Sequence, residues 1–236
     1  MVFGGIQKVT LLDYPEKTAC TLFTSGCNFR CPFCQNSSLI YSNNAEKSDV
    51  SVQTIPASEI LDFLETRRGL LDGVCVSGGE PLLHDELGEF IEEVKTMGFL
   101  VKLDTNGSKP DKLKKLIESG TIDYIAMDIK NTPEKYAQTA GLPNLNISLI
   151  EESVDILLSN TVPCEFRTTV VREFHNDADL VSIAEWLSGA DKYYLQGFVN
   201  SDGVSQSGLH GYSEKEMNQI LDSVKKLIPS TELRGI

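Results

Sequence analysis

Residues 25–36 read Ser-Gly-Cys-Asn-Phe-Arg-Cys-Pro-Phe-Cys-Gln-Asn, and the rest of the chain is organised around this stretch. It places Cys27, Cys31 and Cys34 in the spacing C-x3-C-x2-C. Thiolate is a ligand that both iron–sulfur clusters and zinc select. Three thiolates so close in sequence can hold three irons of a 4Fe–4S cube, which leaves the fourth iron open to a substrate.

The alternative for the same residues is a zinc knuckle or three buried thiols. A four-ligand zinc site normally shows two paired motifs, and the sequence contains no second cysteine pair or Cys/His tract. The spacing therefore favours the cluster. Cys20, Cys75 and Cys164 lie in apolar runs, which indicates buried thiols in the core rather than a disulfide framework.

The chain is acidic, with 34 Asp and Glu against 21 Lys and Arg among 236 residues and a net charge of −13. Such a balance disfavours binding to nucleic acid or to an anionic membrane surface. From the first residues we expect no signal peptide, and no apolar run in the sequence approaches the length of a membrane span. Together with free thiols, this predicts a cytoplasmic protein in a reducing and anaerobic setting.

Strand-like and helix-like segments alternate along the chain, which predicts parallel pairing with right-handed crossovers. We expect one domain, 1–236, with an α/β fold: a partial, open TIM-like barrel of about six βα units. A doubly wound open sheet is the structural alternative. Strands are predicted at 18–24, 74–77, 99–103, 122–129, 162–171 and 193–198, and helices at 57–68, 85–97, 110–119, 147–158, 177–187 and 213–227.

Polar motifs follow the ends of these strands, where α/β folds build their active sites. Their convergence predicts a single ligand site. The motifs are the cysteine stretch after the first strand, Gly78-Gly79-Glu80-Pro81 after the second, Asp104-Thr105-Asn106-Gly107 after the third, Asp128 and Lys130 at the fourth, and Gln196 at the sixth.

Each motif also has a plain structural interpretation. Gly78 and Gly79 can expose carbonyls to an ammonium group, or can form an ordinary glycine turn before a helix. Arg167 and Asp128 on covered strand faces need partners, so they either contact a ligand or form a buried ion pair, and both can hold. The polar stretch 198–212 is either a lid or a flexible connection, and 43–51 is expected to be a surface loop.

Residues 5–17, Gly-Ile-Gln-Lys-Val-Thr-Leu-Leu-Asp-Tyr-Pro-Glu-Lys, together with 25–36, resemble the activating proteins of anaerobic ribonucleoside-triphosphate reductase. These belong to the glycyl-radical-activating group of the radical S-adenosylmethionine (radical SAM) enzymes. Phe33 before the third cysteine, the Gly-Gly-Glu element and the Asp-Thr-Asn-Gly element fit the same resemblance. Two departures concern Gln35 and Gln196, which stand where related activators carry histidine.

The resemblance implies an enzyme with one 4Fe–4S cluster and S-adenosyl-L-methionine (SAM) as cofactors. It would cleave SAM to a 5′-deoxyadenosyl radical and form a glycyl radical on a partner, with electrons from a low-potential donor. It implies Cys27, Cys31 and Cys34 as iron ligands and no catalytic acid or base. The SAM contacts it implies are Phe33, Gly78, Gly79, Glu80, Asp104, Asp128, Lys130, Arg167 and Gln196.

Two other classes of function remain open at this point. One is a radical SAM enzyme acting on a small molecule, such as a 7-carboxy-7-deazaguanine synthase. The other is a non-enzymatic iron–sulfur or zinc protein, which would supply a fourth protein ligand and would not bind SAM. The sequence identifies neither the substrate, the electron donor nor the oligomeric state.

Overall fold

Strands and helices alternate along the chain in the computed structural model, which describes residues 1–40, 54–159, 161–201 and 203–236. The surface loop expected at 43–51 lies outside these residues. The elements are β1 Val2–Thr10, β2 Ala19–Thr24, α1 Ser37–Ile40, β3 Ile55–Pro56, α2 Ala57–Glu65, β4 Gly73–Gly78, the 3-10 helix Pro81–Leu83, α3 Leu87–Thr96, β5 Leu100–Thr105, α4 Pro110–Glu118, β6 Tyr124–Asp128, α5 Pro133–Thr139, α6 Ser148–Leu158, β7 Cys164–Val170, α7 Asp177–Trp186, β8 Tyr193–Gly197, α8 Glu214–Val224 and β9 Glu232–Arg234.

The strand order is β3-β1-β2-β4-β5-β6-β7-β8-β9, so the sheet has two edges and is open. Pairing is parallel between β2 and β4, β4 and β5, β7 and β8, and β8 and β9. β1 runs antiparallel to both β2 and β3. Six strands, β2 and β4 to β8, are each followed by at least one helix. The predicted α/β fold with an open, mostly parallel sheet is confirmed.

The residues fall into two compact units. The expectation of a single domain stays a prediction. The first unit comprises Met1–Asn28, Ser38–Ile125 and Thr161–Pro163, and the second comprises Phe29–Ser37, Ala126–Asn160 and Cys164–Ile236.

The first unit has its core between the parallel strands and the helices that follow them. Val74, Cys75 and Val76 on β4 are fully buried, as expected for a parallel strand covered on both faces. Helix α3 buries Leu87, Phe90, Ile91 and Val94, which recur at helical spacing. The ring of Phe90 lies 5.0 Å from that of Phe3 on β1, so the antiparallel strand is part of the same core.

The second unit begins two of its helices with capping boxes. At α7, Asn176 accepts a hydrogen bond from Asp179 N–H while the Asp179 carboxylate accepts one from Asn176 N–H. Ser213 and Glu216 make the same reciprocal pair at α8. These caps satisfy N–H groups that a helix end leaves unpaired, so both helices begin at defined residues after β7 and β8.

Six elements of the described residues were not predicted from the sequence: β1, α1, β3, the 3-10 helix Pro81–Leu83, α5 and β9. The register of β1 against β2 shifts twice, which breaks the alternation of side chains on which strand prediction depends. Helix α5 has only seven residues and starts at Pro133, and β9 has only three. None of the helices in the described residues combines the length and the hydrophobicity that a membrane-spanning helix requires.

Candidate active site

The first half of the cysteine stretch leaves β2 and is held in the first unit by backbone hydrogen bonds. Gly26 N–H donates to the Leu39 carbonyl at 2.7 Å, and the Gly26 carbonyl accepts from Glu80 N–H at 2.8 Å. Cys27, the next residue, is partly buried. The turn that carries Gly78, Gly79 and Glu80 is therefore attached directly to the residue before the first cysteine.

The two glycines of that turn are required by close backbone packing. Gly78 has a φ of +114°, and a Cβ there would lie 2.2 Å from the Thr24 nitrogen. A Cβ on Gly79 would lie 1.8 Å from the Gly26 carbonyl oxygen. Of the two sequence interpretations, the structure shows the tight turn, while contact of these residues with SAM stays a prediction.

Glu80 connects this turn to the Asp-Thr-Asn-Gly loop that follows β5. Its side chain is fully buried. Oε1 accepts hydrogen bonds from Thr105 Oγ1 at 2.8 Å and Leu82 N–H at 3.0 Å, and Oε2 accepts one from Asn106 N–H at 2.7 Å. The carboxylate thus accepts hydrogen bonds from both loops and joins them, while its contact with SAM stays a prediction.

The side chain of Asn106 lies beside the first cysteine. Its Nδ2 is 3.9 Å from Cys27 Sγ and donates to Asn28 Oδ1 at 3.0 Å. Asn28 in turn donates to Ser108 Oγ at 2.8 Å. Neither Asn106 nor Asn28 is among the site residues predicted from the sequence, and Asn106-Gly107 by itself indicates only a turn.

Lys102 and Asp104 form an ion pair on β5. Lys102 is 1% exposed, and its Nζ contacts Asp104 Oδ1 and lies 4.0 Å from Cys75 Sγ. The two residues are two positions apart on one strand, so they share a face as the parity of a strand requires. The ion pair keeps the Lys102 ammonium close to Asp104. The positive charge of this ammonium is of the sign that attracts a substrate carboxylate.

The second half of the cysteine stretch lies in the second unit. Arg30 N–H donates to the Ala140 carbonyl at 2.8 Å, and Cys34 N–H donates to the Cys31 carbonyl at 3.1 Å. Gly141 has a φ of +67°, and a Cβ there would lie 2.1 Å from the Arg30 carbonyl oxygen. Residues 29–37 are therefore fastened to the segment after α5.

Cys31 is buried and Cys34 is partly buried, and both have groups nearby that favour a thiolate. Burial raises the pKa of Cys31 to about 11, and the Lys130 ammonium opposes that rise. Burial also raises the pKa of Cys34, and a hydrogen bond from the Asn36 backbone opposes that rise. None of the six cysteines, which all lie among the described residues, forms a disulfide.

Asp128 is held between two cations. Arg167 Nε and Lys130 Nζ each lie 3.0 Å from one of its carboxylate oxygens. Burial alone would raise the pKa of Asp128, but the two cations hold it well below its usual range. Of the two sequence interpretations for Arg167 and Asp128, the ion pair is present, and contact with a ligand stays a prediction.

A buried histidine supports the loop that carries Lys130. His175 Nδ1 accepts from Val171 N–H at 3.1 Å, and Nε2 donates to the Lys130 carbonyl at 2.8 Å. This assignment makes the ring neutral, and burial lowers its pKa. The Phe33 ring lies 5.8 Å from that of Phe174 and 6.5 Å from that of His175. Phe33 therefore packs inside the second unit.

The stretch 198–212 is tied to the cysteine stretch rather than standing apart from it. Gln206 N–H donates to the Pro32 carbonyl at 3.0 Å, and Ser37 Oγ donates to the Gly203 carbonyl at 2.6 Å. Gln35 Nε2 donates to the Val199 carbonyl at 3.1 Å. Gln35 thus has a structural partner in this loop.

Gln196 lies near the end of β8, in register with Thr169 on β7 and Arg234 on β9. It is partly exposed. Its position is the one expected for a residue at the carboxyl end of a parallel strand, and its contact with an adenosine group stays a prediction.

In each of the two units, the groups beside the cysteines are of the kind that suits ligands of an iron–sulfur cluster. Asn106 offers an amide to Cys27, the Asn36 backbone offers a hydrogen bond to Cys34, and Lys130 offers positive charge to both Cys31 and Cys34. Such groups stabilise thiolates and cluster sulfurs. Among the described residues, no group of three or more His, Cys, Asp or Glu side chains is arranged to hold a single metal ion.

Comparison with known proteins agrees with this geometry. A family model described as the radical SAM superfamily matches residues 21–187. A protein of Methanocaldococcus jannaschii, which its name assigns provisionally to the glycyl-radical enzyme activating enzymes, is 31% identical over 99% of this chain and 95% of its own length. A pyruvate formate-lyase-activating enzyme of Staphylococcus epidermidis is 29% identical over 72% of this chain and 69% of its own.

Two further matches bear on the substrate and on the fold. A 7-carboxy-7-deazaguanine synthase of Thermoplasma acidophilum is 26% identical over 69% of this chain and 71% of its own length. The structure of Streptococcus suis SuiB bound to S-adenosylmethionine superposes with a TM-score of 0.68 at 13% identity, over 89% of this chain and 48% of that one. The last match shows the fold alone.

Proposed function

Because the chain belongs to the radical SAM superfamily, we propose that it reductively cleaves SAM and generates a glycyl radical on a partner enzyme related to anaerobic ribonucleotide reductase. The match to the M. jannaschii protein over 99% of this chain is the observation that supports a glycyl radical enzyme as the partner. The resemblance of residues 5–17 to activators of that reductase supports the finer assignment.

Radical SAM proteins are enzymes whose cofactors are a 4Fe–4S cluster and SAM, and the chain is an enzyme of this type. When bound, the cluster would supply one electron for the cleavage of SAM, and the adenosyl fragment so formed would take a hydrogen atom from a glycine Cα of the partner. The protein residues bind, orient and shield these groups.

Cys27, Cys31 and Cys34 would ligate three irons of the cluster. The amide of Asn106, the Asn36 backbone and the Lys130 ammonium support this assignment, because each favours a sulfur that carries negative charge. No protein acid or base is assigned to the removal of hydrogen.

In the first unit, Gly78 and Gly79 would accept hydrogen bonds from the methionine ammonium through their carbonyls. Asp104 would lie near the methionine carboxylate, with Lys102 supplying the positive charge that this arrangement needs. Glu80 would act by holding the turn and the Asp104 loop in place, since its two oxygens accept three hydrogen bonds from those segments.

In the second unit, Asp128, Lys130 and Arg167 would line the carboxylate and ribose of SAM. Their ion pairs fix the side chains before a ligand arrives, which reduces the entropy lost on binding. Gln196 would donate to or accept from the ribose or the adenine edge, and Phe33 would pack beside the third cysteine. The protein would work in the anaerobic cytoplasm and take electrons from a low-potential donor.

The experiment is anaerobic reconstitution with iron and sulfide, followed by reduction and addition of SAM with an anaerobic ribonucleotide reductase. We expect methionine and 5′-deoxyadenosine together with the electron paramagnetic resonance (EPR) doublet of a glycyl radical on the partner. The matched control is the same partner with its radical-bearing glycine changed to alanine. SAM cleavage without a radical on any glycyl radical enzyme would contradict the proposed substrate class.

The second candidate is a radical SAM enzyme acting on a small molecule, supported by the T. acidophilum relative over 69% of the chain. It predicts that a deazaguanine precursor, and not a protein partner, accelerates SAM cleavage. The same reconstituted enzyme tests both candidates, since 5′-deoxyadenosine formation is measured with each substrate in turn.

A further inference from the structure

We infer that Asn106 is a positioning residue that holds Cys27 and donates a hydrogen bond to its sulfur when Cys27 ligates the cluster. This inference rests on the proposed function, because it concerns the same iron–sulfur site. Asn106 lies in the loop after β5, and Cys27 follows β2, 79 residues earlier in the chain. The contact is within the first unit.

A carboxamide nitrogen has two N–H donors, and the surroundings of Asn106 provide an acceptor for each. Asn28 Oδ1 lies 3.0 Å from Nδ2, and Cys27 Sγ lies 3.9 Å from it. The carboxamide oxygen accepts from Ser108 N–H at 2.9 Å. All three polar positions of the side chain are therefore assigned, which fixes the direction in which the amide points.

The rest of the loop holds Asn106 in this orientation. Its side chain is 6% exposed. Its backbone N–H donates to the buried Glu80 carboxylate at 2.7 Å, and its neighbour Thr105 donates to the same carboxylate at 2.8 Å. A donor that is buried and already oriented costs little to order when a thiolate forms beside it.

A hydrogen bond to a cluster sulfur stabilises the reduced cluster more than the oxidised one, because the reduced cluster carries more negative charge. Hydrogen bonds to the sulfurs are among the factors that set the reduction potential. Asn106 should therefore raise the potential of the cluster. Because the carboxamide does not titrate, this effect should not depend on pH between 6 and 9.

The test measures the cluster itself in the reconstituted full-length protein, by iron content and by an EPR-monitored redox titration without SAM. Asn106→Ala removes the donor and adds no charge. Asn106→Ser keeps a neutral oxygen that can accept from Ser108 N–H and loses the amide. We expect both variants to have a more negative reduction potential than the wild type, and to lose iron faster to a chelator.

Ser108→Ala is the matched control. It removes the hydroxyl that accepts from Asn28 but keeps the backbone N–H that orients Asn106. We expect its potential and its iron retention to equal those of the wild type. If Asn106→Ala does not fold, Asn106→Ser is the variant that tests the inference, since it adds no charge and keeps an acceptor for Ser108 N–H.

Three outcomes test the inference about Asn106. A negative shift in potential in the Asn106 variants but not in Ser108→Ala supports the inference. Iron loss from both Asn106 variants, with unchanged unfolding midpoints and with iron retained by Ser108→Ala, supports it as well. Wild-type potential and iron retention in both Asn106 variants would overturn it. A wild-type protein that binds the cluster but does not cleave SAM would instead overturn the proposed function, and the potentials would still report on Asn106.

Discussion

The buried carboxylate of Glu80 accepts a hydrogen bond from the backbone N–H of Asn106 at 2.7 Å, across 26 residues of sequence. The same carboxylate accepts from Thr105 and from Leu82 N–H, so one side chain joins the turn after β4 to the loop after β5. A charged acceptor with several donors is a strong local constraint, and removing it leaves buried donors unpaired.

Glu80→Gln should lower the free energy of unfolding by about 1–3 kcal/mol, since an amide N–H₂ replaces one oxygen that faces a donor. Anaerobic urea unfolding measures this change. Glu89→Gln, at an exposed position of α3, is the control and should change stability by less than about 0.5 kcal/mol. Equal stability of the two variants would show that Glu80 is not the link between the loops.

Gly79→Ala should destabilise the protein by about 1–3 kcal/mol and weaken cluster assembly, because the new Cβ would lie 1.8 Å from the Gly26 carbonyl oxygen. The measurements are the urea midpoint and the iron content after reconstitution. Gly88→Ala in helix α3 is the matched control, since its Cβ would meet nothing closer than 3.8 Å. That variant should be more stable than the wild type by about 0.5 kcal/mol. Tolerance of alanine at both positions would contradict the packing argument.

His175 should make stability fall as the pH is lowered below about 6.5, its ordinary pKa. Burial lowers the pKa of the folded state, so the unfolded chain binds the proton first and acid favours unfolding. The stabilisation is complete above pH 6.5 and is lost as the pH falls towards the folded-state value. Urea unfolding at several pH values measures it.

His175→Gln should remove this part of the pH dependence, although it also costs stability at neutral pH. Gln219→Ala is the control, because Gln219 lies at an exposed position of α8 and carries no ionisable group, so this variant should leave the pH dependence unchanged. An identical pH profile in wild type and His175→Gln would assign the dependence to another group.

Cys27→Ala should abolish cluster assembly and SAM cleavage, because a 4Fe–4S cube loses one of three protein ligands. Cys164→Ala is the control. Cys164 is a buried thiol whose Sγ lies 3.7 Å from the Leu157 carbonyl oxygen, well inside the core of the second unit. The Cys164→Ala variant should retain iron and activity, and its free energy of unfolding should be lower by about 1 kcal/mol. Iron content and 5′-deoxyadenosine formation are the readouts, and normal activity in Cys27→Ala would exclude the cluster.

Local patterns were enough to predict the fold class. The helices at α3 and α8 follow apolar residues at helical spacing, and their predicted and observed bounds differ by only a few residues. The elements that were missed, such as β9 and α5, are short and depend on contacts made elsewhere. Arg234 on β9, for example, pairs with the buried Glu165 on β7 at 2.8 Å, a contact 69 residues apart in sequence.

The sequence by itself determined the cysteine spacing, the alternation of strands and helices, and the placement of polar residues after strands, because each of these is a property of neighbouring residues. Only the tertiary structure decided which donors and acceptors meet. Asp128 pairs with Arg167 across 39 residues, and Asn106 reaches Asn28 across 78. Such pairings depend on the path of the backbone between strands, and the residues next to each partner in the sequence do not determine that path.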